Sequence, residues 1–234
     1  MTALLEGEPV ETVLLDMDGT LLDLHFDNHF WSEYLPQSYA ERRGLTVEQA
    51  RSELAPRFEA VLGTLDWYCL DYWRGELGLD LVALKEDVAH RIGWLPGVEA
   101  ALDALGRLGL RRVVATNAHG ASLELKCRVT GLADHVEAIH TSHTFGMAKE
   151  DEAFWFRLAE VEPFDPASTL LVDDNPAVLR AGLAHGIRHT RLIRQPDTRR
   201  PAAPDVAGLT GVHGLGDVVE AVRAETGAGA IGIE

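Results

Sequence analysis

The sequence predicts an α/β protein, a doubly wound parallel sheet with an inserted all-helical cap, and three observations carry that prediction. The run Val13-Leu14-Leu15 is apolar without alternation, as in a strand covered on both faces. From Pro96 onward helix-period and strand-like segments alternate, which implies right-handed crossovers and parallel neighbours. Between the two, residues 24–93 show helical periodicity and no convincing strand. The opening run belongs to the later sheet, so the helical stretch interrupts one domain. Residues 1–22 and 94–234 are the expected α/β core, and residues 23–93 the expected helical cap.

Taken in order, the opening strand stops at Asp16-Met17-Asp18-Gly19-Thr20. Helices are expected over 27–43, 46–62, 67–77 and 80–92, with a capping box in Thr46-Val47-Glu48-Gln49 and N-caps at Asp66 and Asp80. Most of the chain's aromatic residues fall in this stretch, and most of those rings are expected to pack helix on helix. Leu95-Pro96-Gly97 punctuates the return to the core. A helix over 98–108 precedes a strand over 112–115 that ends at Thr116-Asn117, and a helix over 121–130 precedes a weaker strand over 137–141. A helix over 151–160 leads to a strong strand over 169–172 ending at Asp173-Asp174. Asn175-Pro176 has the form of an N-cap followed by proline at the first helical position, opening a helix to 185. A last strand is expected over 188–193, a loop over 195–211, a short helix near 217–226 and a mobile Gly-Ala-Gly-Ala run from Gly227.

Composition narrows the function. A net charge of −16 over 234 residues argues against a nucleic-acid polymer or an anionic membrane as partner. It leaves room for a small anionic substrate, because a bound divalent cation reverses the local field. Cys69 and Cys127 form neither a disulfide framework nor a metal-ligand spacing and are expected to be small buried hydrophobes. Residues 1–9 lack a basic segment leading into an apolar one, and no stretch reaches transmembrane length, so a cytoplasmic location is expected.

The chemistry collects at strand ends. In open α/β sheets ligands bind beyond the carboxyl ends of the strands, where Asp16 and Asp18, Thr116 and Asn117, and Asp173 and Asp174 would all stand. Lys149 lies in the loop after the strand over 137–141. Alone, each has an ordinary explanation: a turn, a strand-end hydroxyl, a solvated loop charge, a helix start. Together, in this order, they suit phosphoryl transfer. A carboxylate can act as nucleophile, hard oxygen ligands recruit Mg²⁺, and a hydroxyl, amides and an ammonium hold phosphate oxygens. His25, His29, His119 and His143 lie near these motifs, but the chemistry does not require them.

Asp16-Met17-Asp18-Gly19-Thr20, Thr116, Lys149 and Asp173-Asp174 resemble the four motifs of the haloacid dehalogenase-like superfamily, including a cap inserted after the first motif. The resemblance implies that Asp16 is nucleophile and metal ligand. It implies that Asp18 is the general acid/base and binds Mg²⁺ through its carbonyl. Thr116 and the Asn117 amide would hold phosphoryl oxygens, Lys149 would bridge Asp16 and the phosphate, and Asp174 would bind metal with Asp173 in support. Three longer strings, residues 22–31, 65–73 and 143–151, resemble the purine 5′-nucleotidase branch that hydrolyses GMP and IMP. The expected substrate is therefore a small phosphomonoester, foremost a purine mononucleotide. Its base would be met in the cap, with Trp31 and Tyr68 as candidate contacts.

Other readings share parts of the pattern. A dehalogenase would need Asp16 but not Asp18; a phosphomutase, or a phosphatase for a sugar phosphate or phosphoglycolate, would keep both. A phosphoacceptor receiver places its acidic pair before the phosphorylated Asp, whereas Asp173-Asp174 comes last here. A non-catalytic binding protein would have no need of every chemical position.

Overall fold

The computed structural model describes residues 3–228, with side chains to residue 222. The chain begins with a short antiparallel hairpin, β1 (Ala3–Leu5) and β2 (Glu8–Val10), before the opening strand β3 (Thr12–Leu15). Its turn puts both Glu6 and Gly7 at positive φ, 57° and 80°, the twist that a two-residue hairpin requires. Arg191 holds Glu6 at 2.8 Å. The sequence reading did not anticipate this hairpin.

The cap follows, all helical: α1 (His25–His29), a π-helical segment (Phe30–Tyr34), α2 (Leu35–Arg43), α3 (Val47–Val61), α4 (Leu65–Tyr68), α5 (Leu70–Leu77) and α6 (Leu81–Asp87). The capping box forms at Thr46 and Gln49, and Asp80 caps α6 through Ala83 N–H at 3.1 Å. Several expectations are corrected. The helix over 67–77 is broken at Cys69, whose Sγ accepts from Tyr72 N–H, so Asp66 lies inside α4 rather than capping it. Both cysteines are half-buried rather than buried. The helix expected to reach residue 92 stops at Asp87 and gives way to a 3₁₀ turn, Ala89–Arg91.

The core then alternates as expected: α7 (Val98–Arg107), β4 (Arg111–Thr116), α8 (Gly120–Thr130), β5 (Ala138–Thr141), α9 (Glu152–Val161), β6 (Thr169–Asp173), α10 (Pro176–His185) and β7 (His189–Ile193). A two-residue strand β8 (Gly211–Val212), also unanticipated, precedes α11 (Leu215–Ala228). That helix takes in Gly227 and Ala228, while the rest of the Gly-Ala run lies outside the described residues. The sheet is parallel throughout, in the order β5-β4-β3-β6-β7-β8. Val13 and Leu15 point into one core layer with Leu102, Leu105 and Val222. Leu14 points into the other with Phe154, Trp155 and Leu179. Burial on both faces is the reason the opening strand lacks alternation.

Core and cap meet at two adjacent backbone crossings. Asp23 N–H bonds Gly93 O and Leu95 N–H bonds Leu21 O, both at 2.9 Å. The loop after β7, which the sequence reading left without a role, returns to this junction. Leu24 N–H donates to Pro196 O at 2.9 Å, and the Asn28 amide donates to Asp197 at 2.7 Å. Among the described residues no helix is long and apolar enough to cross a membrane.

Candidate active site

Strand order explains the site. β3 lies between β4 and β6 in matching register, with Leu15 opposite Val114 and Val172, so the next residues of all three emerge at one edge. Asp16 is fixed there by its own N–H, which donates to Val172 O at 2.9 Å. Gly19 then turns the loop at φ 89°, and a Cβ at this position would sit 2.6 Å from Asp174 Oδ2. Only glycine lets the loop pass so close to that carboxylate.

Asp16, Asp173 and Asp174 bring carboxylate oxygens within 4.8 Å of one another. Lys149 reaches two of the three, with Nζ 2.5 Å from Asp16 and 2.7 Å from Asp173. Burial pushes the Asp16 carboxyl up to about 7 even though Lys149 pulls the other way. Burial raises Asp173 as well, and holds Asp174 well above the usual carboxylate range, aided by the neighbouring charges of Asp173 and Asp16. Burial alone would discharge Lys149, but Asp16 and Asp173 outweigh it and hold the ammonium charged. Three crowded carboxylates with one ammonium leave an excess of negative charge that a cation relieves. Hard oxygen donors of this kind fit Mg²⁺.

The end of β4 is equally specific. The hydroxyl oxygen of buried Thr116 accepts from Ala118 N–H at 3.0 Å, which leaves its proton to give. The Asn117 side chain is anchored at both ends: Oδ1 accepts from Lys149 N–H at 2.9 Å and Nδ2 donates to Glu150 at 2.8 Å. Asp18 stands apart from the three-carboxylate cluster, its Oδ1 held by Lys126 Nζ at 2.6 Å, and burial raises its carboxyl to about 6 against that pull. All the residues expected from the sequence therefore converge on one place.

Sequence reasoning missed several of their neighbours. Glu150 joins cap to core, accepting from Tyr68 OH at 2.7 Å, Asn117 at 2.8 Å and Asn175 at 3.1 Å. Lys126, Asp27 and Lys85 form a buried ion chain leading away from Asp18. A signal for two of them was present. The chain contains only three lysines, Lys85, Lys126 and Lys149, and all three are buried here, while every other cationic side chain except histidine is an arginine.

Above the carboxylates opens a cavity of about 830 Å³, and its walls include Trp31, Phe58, Trp67 and Tyr68 from the cap. Other aromatic rings of the cap, among them Phe26, Phe30, Tyr39 and Trp73, are buried as packing, as expected.

Residues 10–186 match the family model of the haloacid dehalogenase-like hydrolases. The chain is 40% identical over 191 residues to the GMP/IMP nucleotidase YrfG of Escherichia coli, covering 82% of this chain and 86% of that protein. It is 28% identical over 237 residues to a plasmid-encoded phosphoglycolate phosphatase of Cupriavidus necator, covering 92% and 93%. A phosphatase structure from Thermococcus onnurineus superposes with a TM-score of 0.76 at 19% identity, over 90% of this chain and 97% of that one. With the parallel sheet, the inserted cap and the carboxylate cluster already in place, these likenesses have one meaning: the chain belongs to the haloacid dehalogenase-like hydrolases, as a Mg²⁺-dependent phosphoric monoester hydrolase.

Proposed function

We propose that the chain hydrolyses purine nucleoside 5′-monophosphates, GMP and IMP foremost, through a phosphoryl group carried on Asp16. The observation that supports this most is the single cavity that runs from a phosphate-binding floor, Asp16, Thr116 and Lys149, to a cap wall bearing Trp31 and Tyr68. The 40% identity to a GMP/IMP nucleotidase favours the same substrate. In this reading residues 1–22 and 94–234 are the catalytic core, and residues 23–93 the cap that selects the ester. The free thiols of Cys69 and Cys127 accord with a cytoplasmic location.

The reaction runs in two displacements. Asp16 attacks phosphorus, the bond to the nucleoside 5′-oxygen breaks, and Asp18 gives that oxygen its proton. Water then attacks the same phosphorus, Asp18 takes the proton from the water, and the bond to Asp16 breaks. One water is consumed, nucleoside and inorganic phosphate leave, and both carboxyls are restored. Thr116, the Asn117 amide and Lys149 hold the phosphoryl oxygens meanwhile. Asp16, Asp174 and the Asp18 carbonyl, with Asp173 in support, would hold Mg²⁺, which when bound would supply positive charge against the phosphoryl oxygens.

A screen for phosphate release across nucleotides, sugar phosphates and phosphoglycolate tests the substrate. GMP and IMP should lead, and phosphoglycolate ahead of both would overturn the reading. The metal assignment has its own test. Asp174→Ala should raise the Mg²⁺ concentration for half-maximal activity at least tenfold, whereas Thr116→Ala should leave that midpoint in place and lower the rate. An unchanged midpoint for Asp174→Ala would move the metal to Asp173.

Base recognition is also measurable. Stacking a base on an aromatic ring is worth about 1–3 kcal/mol, or about 5- to 150-fold in affinity. Trp31→Ala and Tyr68→Ala, taken together, should therefore show at least one loss of kcat/KM for GMP in that range, with p-nitrophenyl phosphate changing less than about threefold. Equal losses on both esters in every folded aromatic variant would make the cap a general lid and place base recognition in the core loops.

A further inference from the structure

Two of the chain's three lysines have no part in the chemistry above, yet both lie within it. Lys126 is 1% exposed and Lys85 is 2% exposed. Ammonium groups lose several kcal/mol on leaving water, so a buried pair with no role in substrate binding or chemistry needs a reason. Their arrangement supplies one. Lys85 Nζ lies 2.8 Å from Asp27 Oδ1, Asp27 Oδ2 lies 2.6 Å from Lys126 Nζ, and Lys126 Nζ lies 2.6 Å from Asp18 Oδ1. Cationic and acidic groups alternate along this row, and the charges cancel when Asp18 has given up its proton.

The chain crosses between the two parts of the molecule. Lys85 sits on α6 and Asp27 on α1, both in the cap, whereas Lys126 sits on α8 of the core and Asp18 in the loop after β3. Phe26 lies beside both ammoniums, its ring centre 4.9 Å from Lys85 Nζ and 5.4 Å from Lys126 Nζ. Buried and bonded to two carboxylates, Lys126 can turn little. Two of its three protons are taken, one by each side of the interface. It engages only Oδ1 of Asp18, so Oδ2 is left to carry a proton at the cavity that Asp18 lines.

We propose that Lys126 is a positioning residue that aims the Asp18 carboxyl at the leaving oxygen, and that Asp27 and Lys85 align it only while the cap is seated as in this structure. This rests on the reading of Asp18 as the proton donor. A carboxyl displaced by about 1 Å costs on the order of 10²-fold in rate. The cost should depend on the leaving group, because a nucleoside alkoxide must be protonated as it departs and p-nitrophenolate need not be.

The test compares kcat/KM for GMP and for p-nitrophenyl phosphate, a quantity that covers the steps through departure of the leaving group. Lys126→Met should lower it about 100-fold for GMP and less than about fivefold for p-nitrophenyl phosphate. Lys126→Arg should recover part of the difference. In an Asp18→Asn background Lys126→Met should cost no more than about a further twofold. Asp27→Asn, which leaves the pair of Lys126 and Asp18 in place, should show the same asymmetry more weakly, and it carries the test if Lys126→Met does not fold. Equal losses on the two esters, or a further tenfold loss on top of Asp18→Asn, would overturn the proposal. Asp18→Asn alone reports on the underlying reading: if it shows no preference between the esters, Asp18 is not the donor. If it does and Lys126→Met does not, only the positioning role fails.

Discussion

Asp16→Asn is expected to fold, to bind Mg²⁺ more weakly and to lose turnover of GMP by about 10⁴-fold or more. The magnitude follows from what the substitution removes. An amide of the same shape cannot attack phosphorus, and deleting a covalent nucleophile costs far more than deleting a group that only steadies the transition state. Stability should move little or rise. The Asp16 carboxyl is buried among Asp173 and Asp174, and its surroundings oppose its charge strongly enough to hold it near 7. Lys149 keeps Asp173 as a partner after the change. Phosphate release and thermal melting, measured on the same preparation, separate the two effects. Retention of more than about one-hundredth of wild-type activity would mean that the phosphoryl group never rests on Asp16.

Lys149→Ala should produce the second-largest loss, about 10³-fold in kcat, and unlike the first it should also destabilise. The ammonium is 2% exposed and bonds two carboxylates, so its removal leaves a buried cluster of negative charge with no protein cation. Breaking a buried pair in this way costs about 3–5 kcal/mol. In the proposed reading Mg²⁺ binds the same carboxylates, so raising its concentration should restore much of the melting temperature. It should not restore the rate if, as proposed, the ammonium also meets the phosphoryl oxygens. A variant whose kcat recovered fully with Mg²⁺ would show that Lys149 serves only to balance charge.

Much of this site was legible before the structure, for a physical reason. Strands covered on both faces are continuous apolar runs, so the ends of Val13-Leu14-Leu15 and of the strand before Asp173 were sharp. Polar residues directly after such runs must lie at the sheet edge, where ligands bind. The parts that escaped depend on contacts distant in sequence or on very short elements. Strand β8 has only two residues, and the loop after β7 acquires its role by meeting Asp23, Leu24 and Asn28, far earlier in the chain. The break at Cys69 is invisible to helical periodicity, because the residues on both sides keep it. Lys85 and Lys126 were readable in principle. In a chain that otherwise uses arginine for its non-histidine cations, three lysines mark three places where a compact ammonium was required.

The cap carries more than shape. It contributes aromatic walls to the cavity, Tyr68 to the Glu150 network, and Asp27 and Lys85 to the ion chain behind Asp18. In the proposed reading, substrate choice and alignment of the acid are thus both tied to how the cap sits on the sheet edge.

The central claim is that a purine mononucleotide passes its phosphoryl group to Asp16. Rapid quenching of the wild-type protein with GMP and Mg²⁺, followed by peptide mapping in a mass spectrometer, tests it most directly. The account predicts one phosphorylated peptide, the one containing Asp16, present during turnover, absent after GMP is exhausted and never formed by Asp16→Asn. A phosphoryl group on any other residue, or GMP turnover by Asp16→Asn at the wild-type rate, would contradict it.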